Sequence, residues 1–178
     1  MQRMDDPAGV DDDGARDWSL AGAPALIAHI LTRYHAVHRE QLPRLIRLSR
    51  EIERMHAQHG DCPAGLADHL TAMSQELESH MRKEEQILFP MLARGLGVRA
   101  RMPIRVMRAE HDEHRAEMRR LEALTGGLTP PQDACATWRA LYRELATFRR
   151  DLMTHIQLEN DILFEDASRL ASTQSASV

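Results

Sequence analysis

Two segments of this chain carry an apolar 4-3 repeat that is interrupted once, in each case by the same pair of residues. In one segment the repeat positions are Leu66, Leu70, Met73, Leu77, His80, Glu84, Ile87 and Met91; in the other they are Trp138, Leu141, Leu145, Phe148, Leu152, His155, Glu159 and Ile162. Such a repeat lines one stripe of an α-helix, so both segments are predicted to be long helices with that stripe against a core. Positions i and i+4 lie one turn apart on one face. His80 with Glu84, and His155 with Glu159, therefore each bring an imidazole and a carboxylate to a common point. A carboxylate facing a core is costly unless it is paired or bound to a cation. A single His-x-x-x-Glu is common on exposed helix faces, and Lys83 and Glu85 could make Glu84 part of an ordinary ion-paired surface. Leu77, Ile87, Leu152 and Ile162 argue for the inward placement, and two copies in matching positions argue for metal.

The rest of the chain supplies two more such helices. Gly and Pro clusters at residues 60–63, 95–103 and 125–131 divide it into four periodic segments. The third segment repeats on Ile104, Met107, His111, His114, Met118 and Leu121. The first repeats on Leu31, Tyr34, His38, Gln41, Leu45, Leu48, Ile52 and Met55, as one helix kinked at Pro43. Short connections between long helices make neighbours antiparallel, which predicts an all-α, up-down four-helix bundle. The domain is expected over residues 21–170, between a disordered leader (1–20) and a disordered tail (171–178), both poor in apolar period. Aromatic content of 4% suits helix over strand.

Composition excludes several classes. A net charge of -4 without a basic stripe interleaved with aromatics gives no nucleic-acid partner, and Arg99 and Arg101 read as solvated surface. No apolar run approaches the ~18 residues of a membrane span, and the acidic start is unlike a signal peptide, so a cytoplasmic protein with no membrane partner is expected. Cys62 and Cys135 are too few for a disulfide framework and read as free thiols. Ten histidines in one small domain point instead to metal chemistry.

Every seam carries a histidine, and mixed nitrogen and oxygen ligands from four helices suit a pair of iron or manganese ions. Choosing among the first helix's histidines is harder. His29 falls opposite the apolar face and reads as solvated. His56 lies about 31 Å from His35 along the helix and near a turn. His35 and His38 both remain, as do His111 and His114 on the third helix. Tyr34 reads first as core packing and second as a donor to the ligands.

The strings RYHAVHREQLP from Arg33, ELESHMRKEEQILFPML from Glu76, AEHDEH from Ala109, PPQDACATW from Pro130 and DLMTHIQLENDILF from Asp151 resemble the hemerythrin-like domain of the repair-of-iron-centres family. The likeness spans residues 26–166. It implies His35, His80, His111 and His155 as ligands and Glu84 and Glu159 as bridges of two iron ions, oxo- or hydroxo-bridged when oxidised, with His38 and His114 behind them. It further implies protection from nitric oxide and oxidants, repair of iron-sulfur proteins, and binding or reduction of nitric oxide or oxygen at the di-iron centre. Hemerythrin-like oxygen binding or redox sensing without turnover is the alternative. The family's short N-terminal domain with adjacent cysteines has no counterpart in these strings.

Overall fold

The computed structural model describes residues 17–175. Its helices form four rods. The first comprises α1 (Ala23–Ile30), a π-helical turn (Leu31–His35) and α2 (Ala36–Met55). The second comprises α3 (Leu66–Lys83), a π-helical turn (Glu84–Leu88) and α4 (Phe89–Ala93). The third is α5 (Gly97–Leu124), and the fourth runs through α6 (Ala136–Leu158), a π-helical turn (Glu159–Leu163) and α7 (Phe164–Ser175). Helix α2 packs against α3 and α6, and α5 against the same two. This closes the ring of neighbours expected of an up-down bundle, and the described residues contain no strand.

Local sequence sets most of the helix ends. Pro24 lies in the first turn of α1, where its missing N–H costs nothing. Gly65, at φ 85°, turns the chain into α3 through the left-handed region that glycine adopts without steric cost. The Cys135 sulfur accepts the Trp138 amide at the start of α6. Two prolines break less than the sequence reading expected. Helix α2 runs unbroken through Pro43, which sits on the solvent side. Helix α5 starts at Gly97 and includes Pro103, so the connection expected over 95–103 shrinks to residues 94–96. Gly97 lies against α7, where a Cβ would collide with the Ala167 carbonyl oxygen.

The π turns change the seams in a regular way. On α5, which has none, all six predicted seam positions are buried. On the second rod the prediction holds through Glu84 and then slips by one: Leu88 and Leu92 are buried, Ile87 is 53% exposed and Met91 half-buried. On the fourth rod Leu163 likewise replaces Ile162 after Glu159. On the first rod Ile30 takes the place of Leu31 just before His35, and further on Leu42 and Ser49 are buried while Met55 is exposed. A π turn bonds i to i+5 and so adds one residue to the turn, which advances the register by one.

The core consists of two apolar clusters with a polar layer between them. One gathers residues such as Leu45, Leu70, Leu121, Leu141 and Phe148; the other gathers Trp18, Ile30, Leu88, Ile104 and Phe164. Of the expected leader, residues 1–16 lie outside the described residues, and Trp18–Leu20 form a 3-10 turn capped by Asp17, with Trp18 buried. Of the expected tail, α7 continues to Ser175 and residues 176–178 lie outside. No described helix is long and apolar enough to cross a membrane.

Candidate metal centre

Six buried side chains meet in the polar layer. His35 ends the first π turn; Glu84 and Glu159 open the other two, one turn after His80 and His155; His111 comes from the middle of α5. Their ligand atoms fall into two groups, His35, His155, Glu84 and Glu159 in one and His80, His111, Glu84 and Glu159 in the other. Within each group all of these atoms lie within 4.8 Å of one another. Both carboxylates belong to both groups, so each is placed to bridge two ions.

The contacts are made through the Nε2 atoms. His35 Nε2 lies 3.4 Å from Glu84 Oε2, and His80 Nε2 3.2 Å from Glu84 Oε1. His155 Nε2 lies 3.0 Å from Glu159 Oε1 and His111 Nε2 3.1 Å from Glu159 Oε2. The Nε2 atoms also face each other in pairs, His35 with His155 at 3.2 Å and His80 with His111 at 3.0 Å. Among the described residues no hydrogen bond of good geometry reaches either oxygen of Glu84 or Oε2 of Glu159, although all are buried. Imidazole nitrogens converging on buried carboxylate oxygens that lack a hydrogen-bond partner are what a cation would resolve.

Three of the four imidazoles are oriented from behind. His35 Nδ1 donates to Glu85 Oε1 (2.8 Å), His80 Nδ1 to Glu110 Oε2 (2.8 Å) and His111 Nδ1 to Asn160 Oδ1 (3.0 Å). Arg39 holds Glu85 and Lys83 holds Glu110. A hydrogen on Nδ1 leaves the Nε2 lone pair for metal, and a carboxylate behind the ring makes that nitrogen more basic. Each ion would thus receive one histidine backed by a carboxylate, His35 in one group and His80 in the other.

Electrostatics agree with a site that exchanges protons for metal. Burial opposes the charged form of His35, but Glu84, Glu159 and Glu85 outweigh it and its pKa is raised. For His80, Glu84, Glu159 and Glu110 likewise overcome burial and lift the pKa to about 9. Glu159 is held well below the usual carboxylate range, because His155 and His111 overcome its burial.

The histidines that periodicity left in competition fall outside both groups. His38 and His114 are buried one turn away, His38 with its ring 5.4 Å from that of His155 and His114 with its ring 4.9 Å from that of His80. Burial and the neighbouring histidines hold both at a pKa of about 3, and therefore neutral. Tyr34 stacks on His155, with ring centroids 5.3 Å apart. His29 is not solvated as expected but lies half-buried under Trp18. His56 sits at the far end of α2 against Trp138. Sequence reasoning missed Glu85, Glu110 and Asn160. Each is the immediate neighbour of a ligand, yet it supports a histidine on another rod, and that pairing has no signature in a single sequence.

Residues 26–167 match the family described as Hemerythrin HHE cation binding domain. The iron-sulfur cluster repair protein YtfE of Pectobacterium atrosepticum is 50% identical over 155 residues, which is 87% of this chain and 70% of that protein. Its counterpart in Yersinia pseudotuberculosis is 49% identical over the same shares.

Proposed function

The chain belongs to the hemerythrin HHE cation binding family, among the iron-sulfur cluster repair proteins, and from that premise we propose that it is a di-iron protein of the nitrosative and oxidative stress response. In this reading it helps to repair damaged iron-sulfur clusters in the cytoplasm and binds nitric oxide. The observation that carries the reading is the pair of four-residue groups sharing Glu84 and Glu159. His35 and His155 would hold one iron, His80 and His111 the other, with both carboxylates bridging.

Two ferrous ions against two carboxylates would leave the site cationic, and bound iron would supply redox chemistry and open positions for nitric oxide or oxygen. The protein's own residues prepare that chemistry. Glu85, Glu110 and Asn160 fix three rings with Nε2 directed at the site. The two apolar clusters exclude water from either side. His80, held toward the site by Glu110, would release its Nε2 proton to take up metal.

Stopped-flow addition of nitric oxide to the anaerobic, iron-loaded protein tests the reading, combined with reactivation of an iron-sulfur enzyme damaged by nitric oxide. The expected result is a fast spectral change and recovered enzyme activity, both lost in Glu159→Ala. Nitrous oxide among the products would identify turnover. Reversible oxygen binding with neither a nitric oxide reaction nor reactivation would overturn the reading in favour of an oxygen carrier or sensor.

A further inference from the structure

The fourth ligand, His155, differs from the other three. Its Nδ1 is buried and has no hydrogen-bond partner among the described residues. With Nε2 committed to metal, that Nδ1 carries a hydrogen, so a buried donor is left unmatched. The neighbouring ring of His38 has the complementary deficit, since its Nε2 is buried and also has no hydrogen-bond partner among the described residues. The two centroids are 5.4 Å apart and the planes tilted by 32°.

The hydrogen on His38 can be placed by following its other contacts. Asp151 is a buried carboxylate, 3% exposed, and can only accept. Arg33 donates to its Oδ1 at 3.0 Å, and Gln41 Nε2 donates to its Oδ2 at 3.1 Å. Asp151 thereby fixes the Gln41 amide, turning Oε1 toward His38 Nδ1 at 3.2 Å. An amide oxygen accepts, so His38 Nδ1 bears the hydrogen and its Nε2 is a bare lone pair.

From this we propose that His38 is a positioning residue, the hydrogen-bond acceptor for His155 Nδ1–H, reached by a small ring rotation or through one water. The chain of donors then runs one way, from His155 through His38 and Gln41 to Asp151, with Arg33 balancing the carboxylate at the end. Hydrogen bonds aligned in this way polarise one another. His155 therefore has its own carboxylate behind it, two side chains removed, and all four imidazoles are oriented. Asp151 stands one turn before His155 on the same helix, but it acts on that ligand by way of α2. The inference rests on the metal assignment of the preceding subsection.

Two measurements test it. In long-range proton–nitrogen spectra of the zinc-loaded protein, His38 should carry its hydrogen on Nδ1, and His155 should show a Nδ1–H slow to exchange. His38→Phe keeps a ring among Tyr34, Phe148 and His155 but removes the acceptor, and should weaken ferrous iron binding against a chromophoric chelator by roughly 10–100-fold with little change in the melting of the metal-free protein. Gln41→Leu should weaken binding too, and His38→Gln, which restores an acceptor oxygen, should recover part of the loss. A hydrogen found on His38 Nε2, or a folded His38→Phe protein that binds iron as tightly as the parent, would overturn the proposal. If His38→Phe does not fold, the spectrum of the parent protein still decides. Failure of the parent chain to bind zinc or iron would overturn the metal reading instead.

Discussion

As a proposed metal ligand, His80 would have to meet two requirements, holding a proton when metal is absent and releasing it when metal arrives. Its pKa in the metal-free fold is raised from 6.5 to about 9. Its contribution to the stability of that fold is therefore complete below pH 6.5 and is lost as pH rises through about 9. Thermal melts of the metal-free protein should show a decline across that window, and His80→Gln should flatten it. Metal entry displaces the same proton, so apparent iron affinity should keep rising between pH 6.5 and about 9. A titration levelling off near pH 6.5 would contradict this account of His80. The sequence reached this residue and its partner Glu84 through a charged pair in an apolar seam. It could not choose between His35 and His38, or between His111 and His114, because members of each pair lie three residues apart and both are buried. The resemblance implied the assignment that the geometry brings together, since which nitrogens converge depends on the other rods.

At the scale of the element, the π turns account for what periodicity got wrong. Heptad counting placed Ile87 and Ile162 in the core, whereas Leu88 and Leu163 are there. An inserted residue leaves no mark in composition, and three of the four rods carry one at a candidate ligand. Deleting Gln86, exposed within the Glu84–Leu88 turn, would restore ordinary α spacing while leaving Leu88 on the core face. The expected product is a folded bundle with weakened iron binding, measured by circular dichroism and chelator competition; unchanged binding would mean that the π turn does not serve the site. Packing between elements gives a separate prediction. Gly97→Ala sets a methyl against the Ala167 carbonyl and should cost about 1–3 kcal/mol, lowering the melting temperature by roughly 2–4 °C per kcal/mol. Iron stoichiometry should stay the same, since α5 would be displaced from α7 far from His111.

In the whole molecule, two apolar clusters enclose one polar layer, and that layer holds both candidate ion positions. The bundle was legible because its four seams and three breaks are written along the chain. The chemistry was legible in outline because buried carboxylates are rare and occurred twice in the same register. In the proposed di-iron centre Glu84 and Glu159 belong to both groups, so removing one carboxylate would take a ligand from both ions. Anaerobic titration with ferrous iron tests this most directly, in the parent protein and in Glu159→Ala. Two ions per chain in the parent, with affinity for both lost together in the variant, is the result predicted; a parent that saturates at one ion, or a variant that loses one and keeps the other at full affinity, would contradict it.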